Sequence, residues 1–527
     1  MTGRGFQGYG VVIAAAGILA LSLMIVQRTG GALTYTLDDP YIHLAVAESI
    51  LAGGYGINPG EYASPSSSIL YPLLLAALLA LGVGTLSPLA LAGAASLWSA
   101  WLIAGIMRDN AISPGSSVSL WGAVLLLPVV FLALNVYALP LTGMEHSLHV
   151  LTVCFVVVGL TRLERGVPVP MILVAGIVLS PLVRFEGLAV SAAALLVLAW
   201  NRRIGALAGA IATLGAALVA YVAIMSSLGL PPLPSSVMVK SDISASAVDS
   251  GLSEAFVRMA ESFRDALRRE PGTLLALAMV AIWFGFAPRS GVPGRHIALA
   301  LVALAGLAGH LVAGRYGWFS RYEVYANVLA LLTIAILYRD SLRAAVAHEW
   351  ARVVGLFGFL GVIAETYATD TIRVPAAGEN IHAQQFQMHR FATEFFPYPV
   401  AVNDLGYVSY DNNTHVLDLW GLGSEEARRR RQAEDFGAEA VRELVGRHAT
   451  SYAMIYDAWL GPAVPSDWCR IATLQTPKVS TASGEVAFYL IDRAREAEFR
   501  EALNAWAGTL PHSARLTDEV ATCPPAS

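Results

Sequence analysis

The feature that most constrains this chain is a series of apolar runs, each close to the length of a membrane-spanning helix, between Tyr9 and Thr366. A helix needs roughly 20 predominantly apolar residues to cross a hydrocarbon core about 30 Å thick. The sequence therefore predicts a polytopic α-helical membrane protein. Its predicted spans are residues 10–27, 88–107, 118–135, 146–162, 170–184, 185–200, 204–226, 272–287, 296–313, 322–338 and 353–368, about 11 transmembrane helices in all.

The composition supports a membrane protein with a second, more polar part. The 527 residues are 56% hydrophobic and only 14% charged, whereas soluble domains are about 25% charged. Residues 369–527 mix charged, polar and apolar side chains as a soluble domain does. We therefore predict a membrane domain, residues 1–368, and a C-terminal domain, residues 369–527. The net charge of −5 gives no reason to expect a nucleic-acid partner.

The positive charges predict which loops face the cytoplasm. Arginines occupy alternate loops, at Arg4, Arg108, Arg162, Arg165, Arg202, Arg203, Arg289, Arg295, Arg339, Arg343 and Arg352. Positively charged loops remain cytoplasmic, so the N-terminus is predicted inside and the C-terminal domain outside an inner membrane. Ile69–Val83 is apolar but would be only about 22 Å long as a helix. We predict that it lies in the membrane plane within an outer loop, residues 28–87.

Two adjacent carboxylates, Asp38 and Asp39, follow the first apolar run in "TLDDPYIH". An Asp directly before Pro40 is typical of a helix N-cap, so Asp39 is predicted to cap a helix over residues 40–52, which a glycine pair ends. Asp38 has no such role. A carboxylate beside a second one at the membrane boundary has a raised pKa, which suits a general base; the alternative is a solvated loop residue.

Four other ionisable residues fall in predicted outer loops. Glu145 and His146 stand where the fourth span begins, and either bind a polar substrate or are ordinary interfacial residues. Arg184 and Glu186 lie between two apolar runs with almost no loop. Ionisable residues at such a depth are functional candidates by default, and the alternative is a mutual ion pair that closes the turn.

Two further cations lie on the same predicted face. Lys240 follows a proline-rich stretch, and as a compact charge it either binds a phosphate or faces solvent. Arg321, after an aromatic pair, either holds an anion or extends toward the interface. The sequence shows no glycine-rich phosphate loop and no metal-ligand cluster, so no cofactor is expected. The paired carboxylates could still accept a divalent metal.

The C-terminal domain is predicted to be α/β. Its apparent strands are "PVAVND", "HVLDLW", "YAMIYD" and "VAFYLID", and they alternate with helical stretches. This alternation favours a small layered sheet. Cys469 and Cys523 both fall in this domain, and outside the cytoplasm they could pair.

The order of these features resembles the GT-C fold membrane glycosyltransferases. The run "DDPYIHLAVAESILAGGYGINPGE" after the first span is similar to the arabinofuranosyltransferase-like and protein mannosyltransferase-like members. "RFEG" at 184–187 resembles their R-P-E-G motif, "PLPSSVMVK" resembles their P-N-T…K loop, and residues 402–424 are similar to a segment of their outer C-terminal domain. Pro40, Phe185 and Ser235 depart from the family pattern.

The resemblance implies transfer of a monosaccharide from a polyprenyl-phosphate carrier to a hydroxyl of an outer glycan, lipid or protein, without a metal. It implies Asp38 as the base and a carrier phosphate held by Arg184, Lys240 and Arg321. Asp39, Glu145, His146 and Glu186 would line the active site and orient the acceptor. The alternative function is a flippase for a polyprenyl-linked sugar. A flippase predicts internal repeats and charges near mid-membrane, and the sequence has no evident repeat.

Overall fold

The computed structural model describes residues 3–112, 117–235, 238, 252–286, 296–348 and 350–518. The predicted site residue Lys240 and the cysteine Cys523 lie outside this part of the chain. The first nine helices are α1 (Gly3–Arg28), α2 (Asp39–Leu51), α3 (Tyr71–Ala80), α4 (Ser87–Ala111), α5 (Ser117–Ala133), α6 (His146–Glu164), α7 (Met171–Val183), α8 (Gly187–Trp200) and α9 (Ile204–Ser227). Further helices cover Leu252–Leu267, Glu270–Phe286, Ile297–Ala313, Val324–Leu337, Arg339–His348, Trp350–Ala383, Gln385–Arg390, Glu425–Gln432, Ala438–Arg447, Asp457–Leu460 and Glu496–Ala507.

A helix lies on each segment predicted as a membrane span. Among the described residues, four helical segments are long and apolar enough to cross a membrane: Arg4–Arg28, Gly84–Ala111, His146–Glu164 and Ile204–Ser227. The other apolar helices are 10–17 residues long. The apolar helices are those of a membrane protein, while the number of spans stays a prediction.

Small residues allow α6 and α7 to pack closely in an antiparallel pair. A Cβ placed on Gly159 of α6 would lie 2.5 Å from Cβ of Leu173, and one on Gly176 of α7 would lie 2.8 Å from Cγ2 of Val156. Glycines at such contacts let two backbones approach where apolar lipid supplies little other driving force. Because the pair is antiparallel, the start of α6 and the end of α7 reach the same level.

The start of α2 differs from the prediction. Asp39 is the first helical residue and Asp38 occupies the N-cap position, without a capping hydrogen bond from its side chain. The predicted capping role of Asp39 is therefore wrong, because its carboxylate pairs with the guanidinium of Arg321 instead. The helix ends as predicted at the glycine pair, where Gly53 has a φ of +84°.

The segment predicted to lie in the membrane plane contains α3, which has only 10 residues. At about 1.5 Å per residue it is too short to cross a bilayer. Its placement in the plane stays a prediction. The predicted domain boundary at residue 368 lies inside the continuous helix Trp350–Ala383.

The C-terminal region contains a mixed six-stranded sheet in the order β2-β1-β3-β5-β4-β6. Strand β1 (Val400–Val402) pairs in parallel with both β2 (Val416–Asp418) and β3 (Tyr452–Ile455). The antiparallel strands are β5 (Glu485–Leu490), β4 (Cys469–Gln475) and β6 (Arg515–Asp518).

Helices cover both faces of this sheet. Val441 and Leu444, on the helix Ala438–Arg447, pack in the core of one face. Phe499 and Trp506, on the helix Glu496–Ala507, pack in the core of the other. This confirms a layered domain of helices and sheet at the C-terminal end. Cys469 is disulfide-bonded, as the pairing hypothesis requires of it.

Candidate active site

The carboxyl groups of Asp38 and Asp404 meet where the start of α2 contacts the C-terminal domain. Asp404 lies in the turn that follows β1, and its carboxyl is in hydrogen-bond contact with that of Asp38. Oδ2 of Asp38 is shielded from solvent and accepts no hydrogen bond from an N–H or O–H donor among the described residues. Two ionised carboxylates have no proton to share. The contact therefore requires one of the two groups to be protonated.

Burial and neighbouring charges favour that proton. Burial raises the pKa of Asp38 well above its usual range, and the adjacent carboxyls of Asp404 and Asp39 raise it further. Burial likewise raises the pKa of Asp404. Two carboxyls in contact titrate as a unit and retain one proton to a higher pH than an isolated carboxyl does. The Asp38–Asp404 pair therefore keeps a proton to a higher pH than an isolated aspartate does.

Side chains that directly follow the long helix Trp350–Ala383 hold Asp404 in place. Nε2 of Gln385 donates to Oδ2 of Asp404 and contacts Oη of Tyr456, each at 2.9 Å. The Tyr456 hydroxyl in turn donates to Oε1 of Gln384 at 2.5 Å. Asn403 exchanges two hydrogen bonds with the Tyr456 backbone, at 2.8 and 2.9 Å. Residues that precede β1 in the sequence and residues that follow it therefore position the carboxyl of Asp404.

Arg321 is a nearly buried cation with unused hydrogen-bonding capacity. Its side chain is 2% exposed, and its Nη2 donates to the carboxylate of Asp39 and, at 2.9 Å, to the hydroxyl of Tyr322. Its Nε and Nη1 are buried and have no hydrogen-bond partner in the part of the chain that the structure describes. Buried charged donors without a partner are costly. An anionic ligand accepting from these two donors would remove that cost.

Tyr322 connects Arg321 to a second cation. The guanidinium carbons of Arg321 and Arg184 lie 4.9 Å and 5.6 Å from the centre of its ring. Both distances are within the range of cation–π attraction. The ring of His146 meets Tyr322 edge-on at 5.5 Å. Through Tyr322, the group that contains Asp39 and Arg321 joins the group that contains His146 and Arg184 in one cluster.

Glu145 and Glu186 hold Arg184 in a buried ion-pair network. Nη1 of Arg184 donates to Oε1 of Glu145 at 2.6 Å, while Nε and Nη2 donate to Glu186 at 3.1 and 2.6 Å. Glu145 also accepts from Oγ of Ser67 at 2.7 Å and lies 3.6 Å from Nε2 of His43. The ion pair that was the structural alternative for Arg184 and Glu186 is thus present. It is extended by Glu145, which the close packing of α6 and α7 brings into reach.

The structure brings together seven of the eight predicted site residues: Asp38, Asp39, Glu145, His146, Arg184, Glu186 and Arg321. Asp404 was not predicted as a site residue, although its position at the carboxyl end of a predicted strand is a typical place for a functional residue. Tyr322, His43 and Ser67 were also missed. They are single polar residues in loops or short helices, and the sequence carries no signal for them.

The comparisons with known proteins concern the C-terminal domain. A family model described as a domain of unknown function (DUF8728) matches residues 379–489. This region includes Gln384, Gln385, Asp404 and Tyr456, but none of the residues from the helices of the membrane domain. No curated protein and no solved structure matches the chain.

Proposed function

We propose that this protein is a membrane glycosyltransferase of the GT-C type, which transfers a monosaccharide from a polyprenyl-phosphate carrier to a hydroxyl group. The observation that carries the proposal is the buried guanidinium of Arg321, whose Nε and Nη1 lack partners among the described residues, close to the proton-sharing pair Asp38–Asp404. Asp39 links the two, since it neighbours Asp38 and pairs with Arg321. An anion-binding group beside a proton acceptor suits the displacement of a phosphate by a hydroxyl.

The carrier phosphate would be held chiefly by Arg321. Its two unused donors offer the fork geometry that a phosphate accepts. Arg184 contacts the same Tyr322 ring and would add to the positive potential around the phosphate. Three of its donors are already engaged by Glu145 and Glu186. Cations near a leaving phosphate stabilise the charge that develops as its bond breaks. Lys240 remains a proposed third cation from the sequence alone.

The Asp38–Asp404 pair would act as the general base. As the acceptor oxygen bonds to C1 of the sugar, the bond between C1 and the phosphate oxygen breaks. The proton of the acceptor hydroxyl passes to the ionised carboxyl of the pair, and the carrier leaves as polyprenyl phosphate. Positive charge that develops at C1 is stabilised by the nearby carboxylates, as in other glycosyl transfers. The base assigned to Asp38 alone by the resemblance is thus proposed to be a pair.

The proposed orientation suits these substrates. Eleven spans would place the N-terminus in the cytoplasm and the C-terminal domain outside the inner membrane. The site lies where the helices of the membrane domain meet the C-terminal domain, since Asp38 precedes α2 and Asp404 follows β1. A lipid-linked donor would reach this junction from the bilayer. A glycan, lipid or protein acceptor would reach it from the water.

The proposal is tested in a strain whose own copy is deleted and replaced by the wild type, Asp38→Asn, Arg321→Gln or the exposed-loop control Arg315→Gln. Surface glycans and lipid-linked sugars are measured by mass spectrometry. Loss of one sugar with accumulation of the carrier-linked donor on the outer leaflet is expected for the first two variants only. Unchanged glycans in both would overturn the proposal. Donor accumulating on the inner leaflet would indicate a flippase.

A further inference from the structure

Away from the Asp38–Asp404 pair, a second group of ligating side chains joins the loop between α2 and α3 to the C-terminal domain. Glu61 lies in that loop, His415 directly precedes β2, and His448 follows the helix Ala438–Arg447. Nε2 of His415 and Nδ1 of His448 lie 2.9 and 3.3 Å from Oε1 of Glu61. The two imidazole rings are nearly parallel, with centres 4.4 Å apart. Two nitrogens thus converge on one carboxylate oxygen.

From this geometry we propose that Glu61, His415 and His448 form a divalent-metal site, with Zn²⁺ as the ion that fits best. One potential ligand atom from each residue lies within 4.8 Å of the other two. Tetrahedral zinc, with Zn–N bonds of about 2.0 to 2.1 Å, separates its ligand atoms by roughly 3.3 Å. Small side-chain adjustments would therefore enclose the ion.

The ligand types favour zinc over harder cations. Imidazole nitrogen suits Zn²⁺ and other late transition metals, whereas Ca²⁺ and Mg²⁺ prefer oxygen ligands. The forms of these side chains that bind a metal ion are the carboxylate and the neutral imidazole. Two histidines and one glutamate leave a fourth position for water. The side chains are 36%, 21% and 21% exposed for Glu61, His415 and His448, so an ion can enter from solvent.

Asn58 orients the glutamate ligand and attaches the same loop to the sheet. Its Nδ2 donates to Oε2 of Glu61 at 3.0 Å, which leaves Oε1 facing the two histidines. The same amide exchanges hydrogen bonds with the backbone of Val416, at 3.0 and 2.9 Å, on the edge strand β2. Outer-shell hydrogen bonds of this kind hold metal ligands in position. The loop is therefore already arranged against the domain before an ion binds.

The proposed ion would strengthen the contact between the two parts of the chain. Without it, the contacts of Glu61 with the two histidines are ion pairs between partly exposed groups, which contribute little individually. A metal bound by residues from both parts is released when they separate, so its binding free energy stabilises the docked arrangement. Asp404 lies in the same domain as His415 and His448. The inference stands apart from the proposed reaction, because no ligand belongs to the Asp38–Asp404 site.

The test uses the full chain, purified in detergent with a tag that contains no histidine. The protein is stripped with a chelator and titrated with Zn²⁺ against a chromophoric competitor, and bound metal is counted by mass spectrometry. We expect one equivalent of zinc and a higher midpoint of thermal unfolding when it is present. His415→Ala and His448→Ala should each weaken zinc binding by more than roughly tenfold and abolish the thermal shift.

A matched control and a second measurement keep the outcome clear. His512→Ala removes a histidine whose side chain is 88% exposed, and it should bind zinc as the wild type does. X-ray absorption of the wild-type complex should show nitrogen from two imidazoles and oxygen around the zinc. This measurement does not require the alanine variants to fold. Less than stoichiometric binding by the wild type, full binding by both alanine variants, or a sulfur ligand would overturn the site. None of these outcomes depends on glycosyl transfer.

Discussion

Asp38 and Asp404 lie far apart in the sequence, and their buried carboxyl groups meet next to Gly406. The contact exists only when the C-terminal domain is docked on the start of α2. A carboxyl pair of this kind is built by two separate parts of the fold, so docking of the domain and assembly of the proton-sharing site are the same event. The first two predictions therefore concern variants of Asp38 and Asp404.

The first prediction concerns which carboxyl is needed. Asp404→Asn should reduce sugar transfer as much as Asp38→Asn does, by roughly 10²- to 10⁴-fold, because either amide removes the shared proton site. The double variant should be little worse than either single variant, since the two groups act as a unit. Transfer by purified protein in nanodiscs measures this, with Asp411→Asn as the control in the same domain. Full activity of Asp404→Asn would contradict the shared role.

The second prediction concerns stability and pH. Burial and the nearby carboxyl of Asp39 raise the pKa values of both Asp38 and Asp404 in the folded protein. Between an unfolded-state pKa of about 4 and the raised value, the folded protein binds more protons than the unfolded chain. Stability therefore falls as pH rises through this window. The pair that we propose as the base is therefore expected to destabilise the folded protein as the pH rises through this window.

Replacing one of these acids by asparagine should remove that cost. Asp404→Asn is expected to raise the midpoint of thermal unfolding at about pH 8 and to change it little at about pH 4. Each pKa unit corresponds to about 1.4 kcal/mol, so a shift of several degrees is expected. Tryptophan fluorescence during heating in detergent measures it across this range. A midpoint lowered equally at both pH values would show that the pair is structural instead.

The third prediction concerns the buried guanidinium. Arg321→Lys keeps a positive charge but loses the fork of N–H donors, so the KM for the carrier-linked donor should rise more than roughly tenfold. Arg321→Gln should lose binding of the donor altogether, because the charge is also removed. Titration with polyprenyl phosphate alone measures this without the reaction. Arg315→Gln, which changes an exposed arginine of the same loop, should bind the carrier normally.

Whether a prediction from the sequence is correct depends mainly on whether it concerns a local pattern or a contact between distant residues. Helices lie on all the apolar runs, and β1, β2, β3 and β5 lie on their predicted segments, because periodic burial is written into local sequence. Strands β4, "CRIATLQ", and β6, "RLTD", were not predicted. Strand β6 is a short edge strand whose side chains are exposed or only partly buried. It carries no apolar pattern that would distinguish it from a loop.

The site residues show the same division. The acidic residues and arginines of the site could be predicted, because charged residues next to long apolar runs are unusual in a sequence. The helix-capping role predicted for Asp39 was wrong: a carboxylate beside Pro40 fits a capping pattern locally, whereas its partner Arg321 is supplied by a distant loop. Asp404 was missed for the same reason. Its contact with Asp38 depends on docking of the C-terminal domain, and no local pattern encodes that contact.

The fourth prediction tests the buried network around Arg184. Glu145 is fully buried and accepts from Arg184 and Ser67. Glu145→Ala should leave the buried guanidinium with fewer partners, which costs about 3 to 5 kcal/mol. A large fall in folded yield and thermal midpoint is expected. Glu379 forms an ion pair with the half-exposed Arg28. Glu379→Ala should therefore change the free energy of unfolding by less than about 1 kcal/mol. Equal effects would contradict a buried network.

The last prediction concerns the glycine that covers the carboxyl pair. A Cβ on Gly406 would overlap Oδ2 of Asp38 and lie 2.7 Å from its Cβ. Gly406→Ala should therefore push Asp38 away from Asp404, with a stability cost of about 1 to 3 kcal/mol and loss of transfer. Gly446→Ala is the matched control, because a Cβ there meets no atom within 4 Å. That variant should retain activity and be slightly more stable, since alanine favours the helix. Full transfer by Gly406→Ala would mean that the Asp38–Asp404 contact is dispensable for the reaction.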